Sequence, residues 1–275
     1  MQVKDIIINY RAANPEIKLY LFGDLHAGTI HCVEKEVKRK VEEIKNSKNT
    51  YWLGMGDYAE FIIPKDKRFD PNLKSIAEWV EPDNLGHCQT KWLTELFTPI
   101  KNKCVGLLYG NHENSIRVYN HENVQQNLCD ALGVDNVGYS CFIRFHFQRE
   151  NSTERHLITG AFTHGASGAM TEGAKLMALM RWMKSMDADI YGYAHLHDYL
   201  EKSLSKLTVI DSSNDGGKIK SRVSSGVTTG SWFRTYTQGI QASYGETRCY
   251  PPTEICCAMF TINPNTGNAQ TSKSV

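Results

Sequence analysis

Cys104-Val105-Gly106-Leu107-Leu108-Tyr109-Gly110-Asn111-His112-Glu113 is the stretch from which the fold is read. A short apolar run closed by a glycine predicts a buried strand with a sharp turn at its end, and sites in α/β sheets assemble at the carboxyl ends of strands. Here the turn delivers Asn111 and His112 to a strand tip. The letters Asn-His-Glu-Asn recur at Asn120-His121-Glu122-Asn123, without the strand or the glycine. Val124, Leu128 and Leu132 follow that copy at helical spacing, so it predicts a helix start capped by Asn120 or Asn123 and carries little functional weight.

Four other strand ends carry residues of the same chemistry. Residues 17–22 form an apolar run ending at Gly23, and Asp24-Leu25-His26 follows; an extended turn there would point Asp24 and His26 the same way. A second run, 51–55, closes on Gly56-Asp57. A third, 156–162, leads to Thr163-His164-Gly165, and a fourth, 189–193, to His195-Leu196-His197. Each motif alone has a plainer reading, a helix cap for Asp24 or surface groups for the paired histidines. All five in this order, across residues 24–197, resemble the calcineurin-like metallophosphoesterase superfamily, its phosphodiesterase and nuclease branch in particular.

That resemblance implies an α/β fold, a four-layer α/β/β/α sandwich of two mixed sheets flanked by helices. It also implies two divalent metal ions, one held by Asp24, His26 and His197 and the other by Asn111, His164 and His195. Asp57 would bridge them, and hydroxide generated between them would attack phosphorus. His112 would serve as general acid, with Glu113 orienting it or a ligand. Oxygen and imidazole donors without thiolate suit Mn²⁺, placed first here, and equally Zn²⁺, Fe or Ni²⁺. Two departures stand out. Tyr58-Ala59-Glu60-Phe61 follows Asp57 in place of the Asp-Arg-Gly of the protein Ser/Thr phosphatases, which argues against that branch. Ala194 stands where the family commonly has a glycine, so a methyl group crowds the turn before His195.

Composition bounds the alternatives. The 275 residues suit one domain over 1–262, and Lys+Arg 31 against Asp+Glu 30 leaves a net charge of +1, too little for a global field that recruits duplex nucleic acid. Eight scattered cysteines without a Cys-x-x-Cys pair read as reduced thiols. With no signal-like or membrane-length apolar run, a cytoplasmic protein without membrane association is expected. Oligomeric state is not legible.

Val33, Val37, Val41 and Ile44 predict an amphipathic helix whose charged residues form a solvated face. Residues 61–95 lack periodicity and read as a lid or insert near the site, in which His87 and Cys88 are structural. Strands are expected over 140–147 and 156–162, with His146 and His156 inside them and so outside the site. The methionine-rich helix after Gly173 reads as core. Strands at 207–210, 223–229 and 254–262 suggest a second, more antiparallel sheet, with 211–220 as a solvated hairpin tip and 263–275 as a polar, mobile tail.

The segment Thr229-Gly230-Ser231-Trp232-Phe233-Arg234 is expected to return to the site, with Trp232 and Arg234 contacting substrate and Arg117 the nearest other cation. Trp79, Trp92 and Trp232 offer stacking surfaces for bases. The expected function is hydrolysis of phosphodiester bonds in nucleotides or single-stranded nucleic acid. A phosphomonoesterase acting on small phosphorylated metabolites and a non-catalytic metal-binding module are the alternatives.

Overall fold

In chain order the elements are β1 (Gln2–Tyr10), β2 (Ile17–Phe22), α1 (Glu34–Asn46), β3 (Thr50–Gly54), α2 (Leu85–Phe97), β4 (Cys104–Leu108), α3 (Asn111–Asn120), α4 (Val124–Leu132), β5 (Asn136–Gly138), β6 (Ser140–Arg149), β7 (Arg155–Thr163), α5 (Glu172–Ser185), β8 (Ile190–Tyr193), β9 (Glu201–Ser212), β10 (Gly216–Thr228), α6 (Tyr244–Thr247), β11 (Cys257–Asn263) and β12 (Asn268–Ser274). The structure, a computed structural model, describes residues 1–66, 69, 74–212 and 216–275. Two six-stranded sheets result, ordered β1-β6-β7-β8-β10-β9 and β12-β11-β2-β3-β4-β5. Both are mixed: β2, β3, β4 and β5 run parallel while β11 opposes β2, and β7, β8 and β10 run parallel while β6, itself parallel to β1, opposes β7 and β9 opposes β10.

Period-2 alternation makes this a four-layer sandwich. Ile17, Leu19 and Leu21 of β2 point into the core between the sheets with Leu53, Phe145, Phe147, Ile190 and Phe260. Tyr20 and Phe22, one residue out of phase, point the other way with Trp52 and Leu107, under α1, α2 and α4. On the outer face of the first sheet, Leu179 and Met183 of α5 cover Ala161, Tyr191 and Tyr193. The buried stripe of α5 is Lys175, Leu179 and Met183, while Met180 is half-buried and Met177, like Met170 before the helix, is exposed, so of its methionines only Met183 takes the expected core role in full.

Three further expectations are corrected. The late strands do not build a sheet of their own: β9 and β10 close one edge of the first sheet, and β11 and β12 one edge of the second. The polar 263–275 stretch contains β12, tied to α1 where buried Lys40 donates to Glu43, to the Ser274 hydroxyl and to the Val275 carbonyl. An edge strand with one solvated face needs no apolar alternation, so its sequence gave no signal. The 61–95 segment is only partly irregular, since α2 begins inside it at Leu85 and runs past its end to Phe97, burying Leu93 and Phe97; residues 67, 68 and 70–73 lie outside the described set. Residues 213–215 of the expected hairpin tip also lie outside it. Among the described residues no helix is long and apolar enough to cross a membrane, and the eight cysteines are free thiols.

Candidate metal centre

β2, β3 and β4 of one sheet, and β7, β8 and β10 of the other, send the residues that follow them to the same end of the sandwich. Backbone bonds then stitch those turns together. Leu25 and His26 donate their N–H to the Asp57 carbonyl at 2.9 and 3.1 Å, and Asp24 to the Gly56 carbonyl at 2.9 Å. The Glu113 carboxylate accepts from the main-chain N–H of Asp57, Tyr58 and Gly110 at 3.0, 2.8 and 2.8 Å, locking the turn after β3 to the start of α3. Two glycines let these turns touch. A Cβ on Gly110 would lie 2.1 Å from Asp57 Oδ1, and one on Gly56, at φ +90°, would lie 2.6 Å from Gly110 N.

The turn after β2 does not take the extended form considered from the sequence. Asp24 and His26 are both left-handed, at φ 50°, and His195 and His197 repeat the pattern at 70° and 55°, with Asp57 at 50°. Non-glycine residues there are uncommon and cost energy, and such strain collects at functional sites. Its result here is a repeated geometry: the middle residue, Leu25 or Leu196, is buried in the hydrophobic clusters while the two flanking side chains face the centre. Asp24 is held hardest, its carboxylate accepting from Thr229 Oγ1 at 3.1 Å and from the His195 N–H at 3.2 Å, while Ser231 Oγ donates to its carbonyl at 2.9 Å.

Two groups of donor atoms converge, each within 4.8 Å of one another: Asp24, His26 and His197, and Asp57, His164 and His195. Their hydrogen bonds show what they lack. His164 Nδ1 lies 2.8 Å from the Met55 carbonyl, which can only accept, so Nδ1 carries the hydrogen and Nε2 presents a lone pair. That lone pair faces two further acceptors, Asn111 Oδ1 and Asp57 Oδ2, both at 3.2 Å. His26 Nδ1 is likewise satisfied by the Glu60 carboxylate at 2.9 Å, leaving Nε2 3.1 Å from His197 Nε2, itself 3.4 Å from Asp24 Oδ1. His195 Nδ1 is buried with no hydrogen-bond partner. Lone pairs aimed at one another in a buried site can be bridged by a proton or a metal cation, and this nitrogen and oxygen set fits a divalent first-row ion.

Titration behaviour agrees. Burial opposes ionisation of Asp57, yet His164 and His112 beside it hold it well below the usual carboxylate range. Burial also opposes protonation of His164, but the Asp57 charge wins and raises it to about 10, so in the bare chain a proton fills the gap between acceptors. Burial and the neighbouring His164 push His195 down to about 4, leaving it neutral and ready to donate a lone pair. A third group, His26, Glu60 and His112, also converges. Its plainer role is orientation, because His26 cannot offer both ring nitrogens as lone pairs while neutral.

The centre forms the floor of a cavity of about 940 Å³, reached by His26, Asp57, Asn111, His112, His195 and His197. The structure thus brings together Asp24, His26, Asp57, Asn111, His112, His164, His195 and His197, with Glu113 directly behind them. Ala194 is fully buried and its methyl group leaves His195 in the cluster. The expected substrate contacts fare differently. Trp232 is fully buried, edge-on to Phe22 with centroids 5.5 Å apart, so it stacks on core and not on a base. Trp79 and Trp92 stack on each other at 5.2 Å and do not line the cavity. Arg117 lies exposed over Tyr109, and exposed Arg234 is absent from the lining. Phe233 does line it, packed against His26 at 5.3 Å. Sequence reading missed Glu60, which carries no periodic or motif signal, and Lys175, which lines the cavity from α5 bonded to Asp198 at 2.5 Å.

No protein-family model and no curated protein matches the chain. Several solved structures do, all at low identity. A metallophosphoesterase from Sphaerobacter thermophilus is 11% identical over 94% of this chain and 89% of its own, with a TM-score of 0.38. A predicted phosphoesterase from Streptococcus pneumoniae is 10% identical over 94% and 98%, with a TM-score of 0.33. Vps29 of Entamoeba histolytica, crystallised with Zn²⁺, is 9% identical over 94% and 98%, with a TM-score of 0.27. Two facing mixed sheets flanked by helices, with the five ordered motifs meeting at one end, make the α/β sandwich that the resemblance to the calcineurin-like metallophosphoesterases implied.

Proposed function

We propose that the chain is a phosphoesterase dependent on two divalent ions, Mn²⁺ first among the candidates, that hydrolyses phosphodiesters of nucleotides or single-stranded nucleic acid. The convergence of buried lone pairs beneath an open cavity, with His112 beside them, is the observation that carries this reading. Asp24, His26 and His197 would hold one ion, and Asn111, His164 and His195 the other, with Asp57 shared. Such ions lower the pKa of bound water and neutralise charge on the phosphoryl oxygens.

The chain's own contribution is orientation and proton delivery. His112 Nδ1 contacts the Glu60 carbonyl, so Nδ1 carries the hydrogen and Nε2 is the atom that exchanges a proton. Its main-chain N–H donates to Asp57 Oδ1 at 3.0 Å, which fixes the residue to the centre. As an imidazolium it would protonate the leaving alkoxide, the group a phosphodiester cannot expel readily unaided. Glu113 holds the turns of Asp57 and Gly110 in register, and Glu60 fixes both His26 and His112.

Charge on the cavity walls favours a diester over a monoester. Lys65 and Lys175 line it, but so do Glu60, Asp66 and Asp198, and Lys175 is already paired with Asp198. A monoester dianion would meet more carboxylate than ammonium, whereas a diester brings a single negative charge. Turnover of bis-p-nitrophenyl phosphate against p-nitrophenyl phosphate in Mn²⁺ tests this: the diester is expected to be faster, and a monoester preferred over every diester removes the nuclease and phosphodiesterase reading.

A further inference from the structure

The cavity is larger than its floor requires, and part of its wall has no role in holding metal. The far turn of α3 presents Val118 and Tyr119 there, and the segment 235–253 presents Tyr244 and Tyr250. That segment leaves the sandwich after Phe233 and closes on itself. The Thr235 hydroxyl donates to the Pro251 carbonyl at 3.2 Å, Ser243 to the Thr235 carbonyl at 2.7 Å, and Tyr236 to the Tyr250 carbonyl at 2.8 Å. Inside it, α6 is capped by Ser243, and the Tyr250 N–H donates to the Gly245 carbonyl at 2.9 Å. With its ends joined and its own side chains bonded across it, the segment makes a compact shelf at the cavity wall.

The shelf displays rings already in place. Tyr244 and Tyr250 stand edge to face, centroids 6.3 Å apart at 89°, and the Arg248 guanidinium sits 5.4 Å from the Tyr244 ring. Tyr250 keeps 38% of its surface exposed and Tyr119 49%, so each can cover a flat group without rearrangement of the core. Distance sets the size of that group. Tyr119 lies two turns along α3 from Asn111, about 12 Å at 1.5 Å per residue, close to the reach of one nucleotide from its phosphate to the edge of its base. The wall is aromatic and bears hydroxyls, with Asn114, Thr235 and Thr253 also lining the cavity, which suits a base and sugar better than an acyl chain.

We propose that Tyr119, Tyr244 and Tyr250 form a nucleoside subsite, which stacks the base of a diester whose phosphate lies over the ligand cluster. This rests on the phosphodiesterase reading and names the part of the substrate that the site selects. Stacking on one aromatic ring is worth about 5- to 150-fold in affinity per base.

Tyr119→Ala and Tyr250→Ala, singly and together, are compared with Tyr250→Phe. KM and kcat are measured in Mn²⁺ for thymidine 5′-(p-nitrophenyl phosphate) and for methyl p-nitrophenyl phosphate. Calorimetry of thymidine 5′-monophosphate and of methyl phosphate binding supplies a readout that needs no turnover. The double variant is expected to raise KM for the nucleoside diester about tenfold or more, leave both constants for the methyl diester within twofold, and bind the nucleotide no better than methyl phosphate; Tyr250→Phe retains wild-type values. Equal effects on both esters, or wild-type protein that binds the nucleotide no more tightly than methyl phosphate, overturn the subsite. If wild-type protein cleaves neither diester, the phosphodiesterase reading falls, and the calorimetric comparison still decides the subsite by itself.

Discussion

His112 and Trp232 show how much a single residue's setting decides. His112 presents only Nε2 for proton exchange, so His112→Ala should retain metal while kcat falls about 10²- to 10⁴-fold on diesters with alkoxide leaving groups. The loss should shrink for p-nitrophenolate, which departs without a proton; equal losses on both would make His112 a binding group instead of an acid. Trp232→Ala should act on stability, at about 3–5 kcal/mol in chemical denaturation, with KM unchanged at temperatures where the variant stays folded. The residues of the cluster were legible because Asp, Asn and His recur in order at five strand ends, although each motif alone has a plainer reading. The fate of Trp232 was not, because the facing of residues after Gly230 depends on Ser231 hooking to the Asp24 carbonyl, a contact across 207 residues of sequence. Lys175 was hidden for a similar reason, its partner Asp198 being brought to it only by the fold.

At the scale of elements, the turns matter more than the strands they leave. Gly110→Ala would set a methyl group 2.1 Å from Asp57 Oδ1, so the expected outcome is a folded protein with loss of most metal affinity, read by calorimetry; unchanged affinity would mean the turn after β4 can yield. The contact between α1 and β12 offers a stability test with a pH signature. Burial opposes ionisation of Glu43, but its bonds to Lys40 and Tyr20 outweigh this and lower its pKa. A carboxylate with a depressed folded pKa stabilises above its unfolded value, near 4.5, and that stability is lost as pH falls through the folded value. Glu43→Gln should therefore cost about 1 kcal/mol at pH 7, kept small by solvent screening, and progressively less as the pH falls below the folded value. An effect independent of pH would exclude the ion pair as its source. α1 and α4 were legible from their apolar spacing, whereas α2 was masked by mixed polarity and β1 and β12 by strand faces open to solvent.

For the whole molecule, sheet pairing is the level the sequence left least determined. The two-sheet sandwich followed from the resemblance, but nothing local says that β9 and β10 join β8 while β11 returns to β2, since strand partners are chosen by which buried faces remain to be covered. That pairing nevertheless sets the candidate site, because it brings the carboxyl ends of both sheets to one rim, where the two groups of donor atoms converge. The most direct test of this account is the rate of bis-p-nitrophenyl phosphate hydrolysis as Mn²⁺ is titrated into metal-stripped protein. The account predicts no turnover without metal, full activity at two equivalents per chain, and no recovery in Asp57→Asn at the same loading. Hydrolysis that persists in the stripped protein, or that saturates alike in Asp57→Asn, would contradict it.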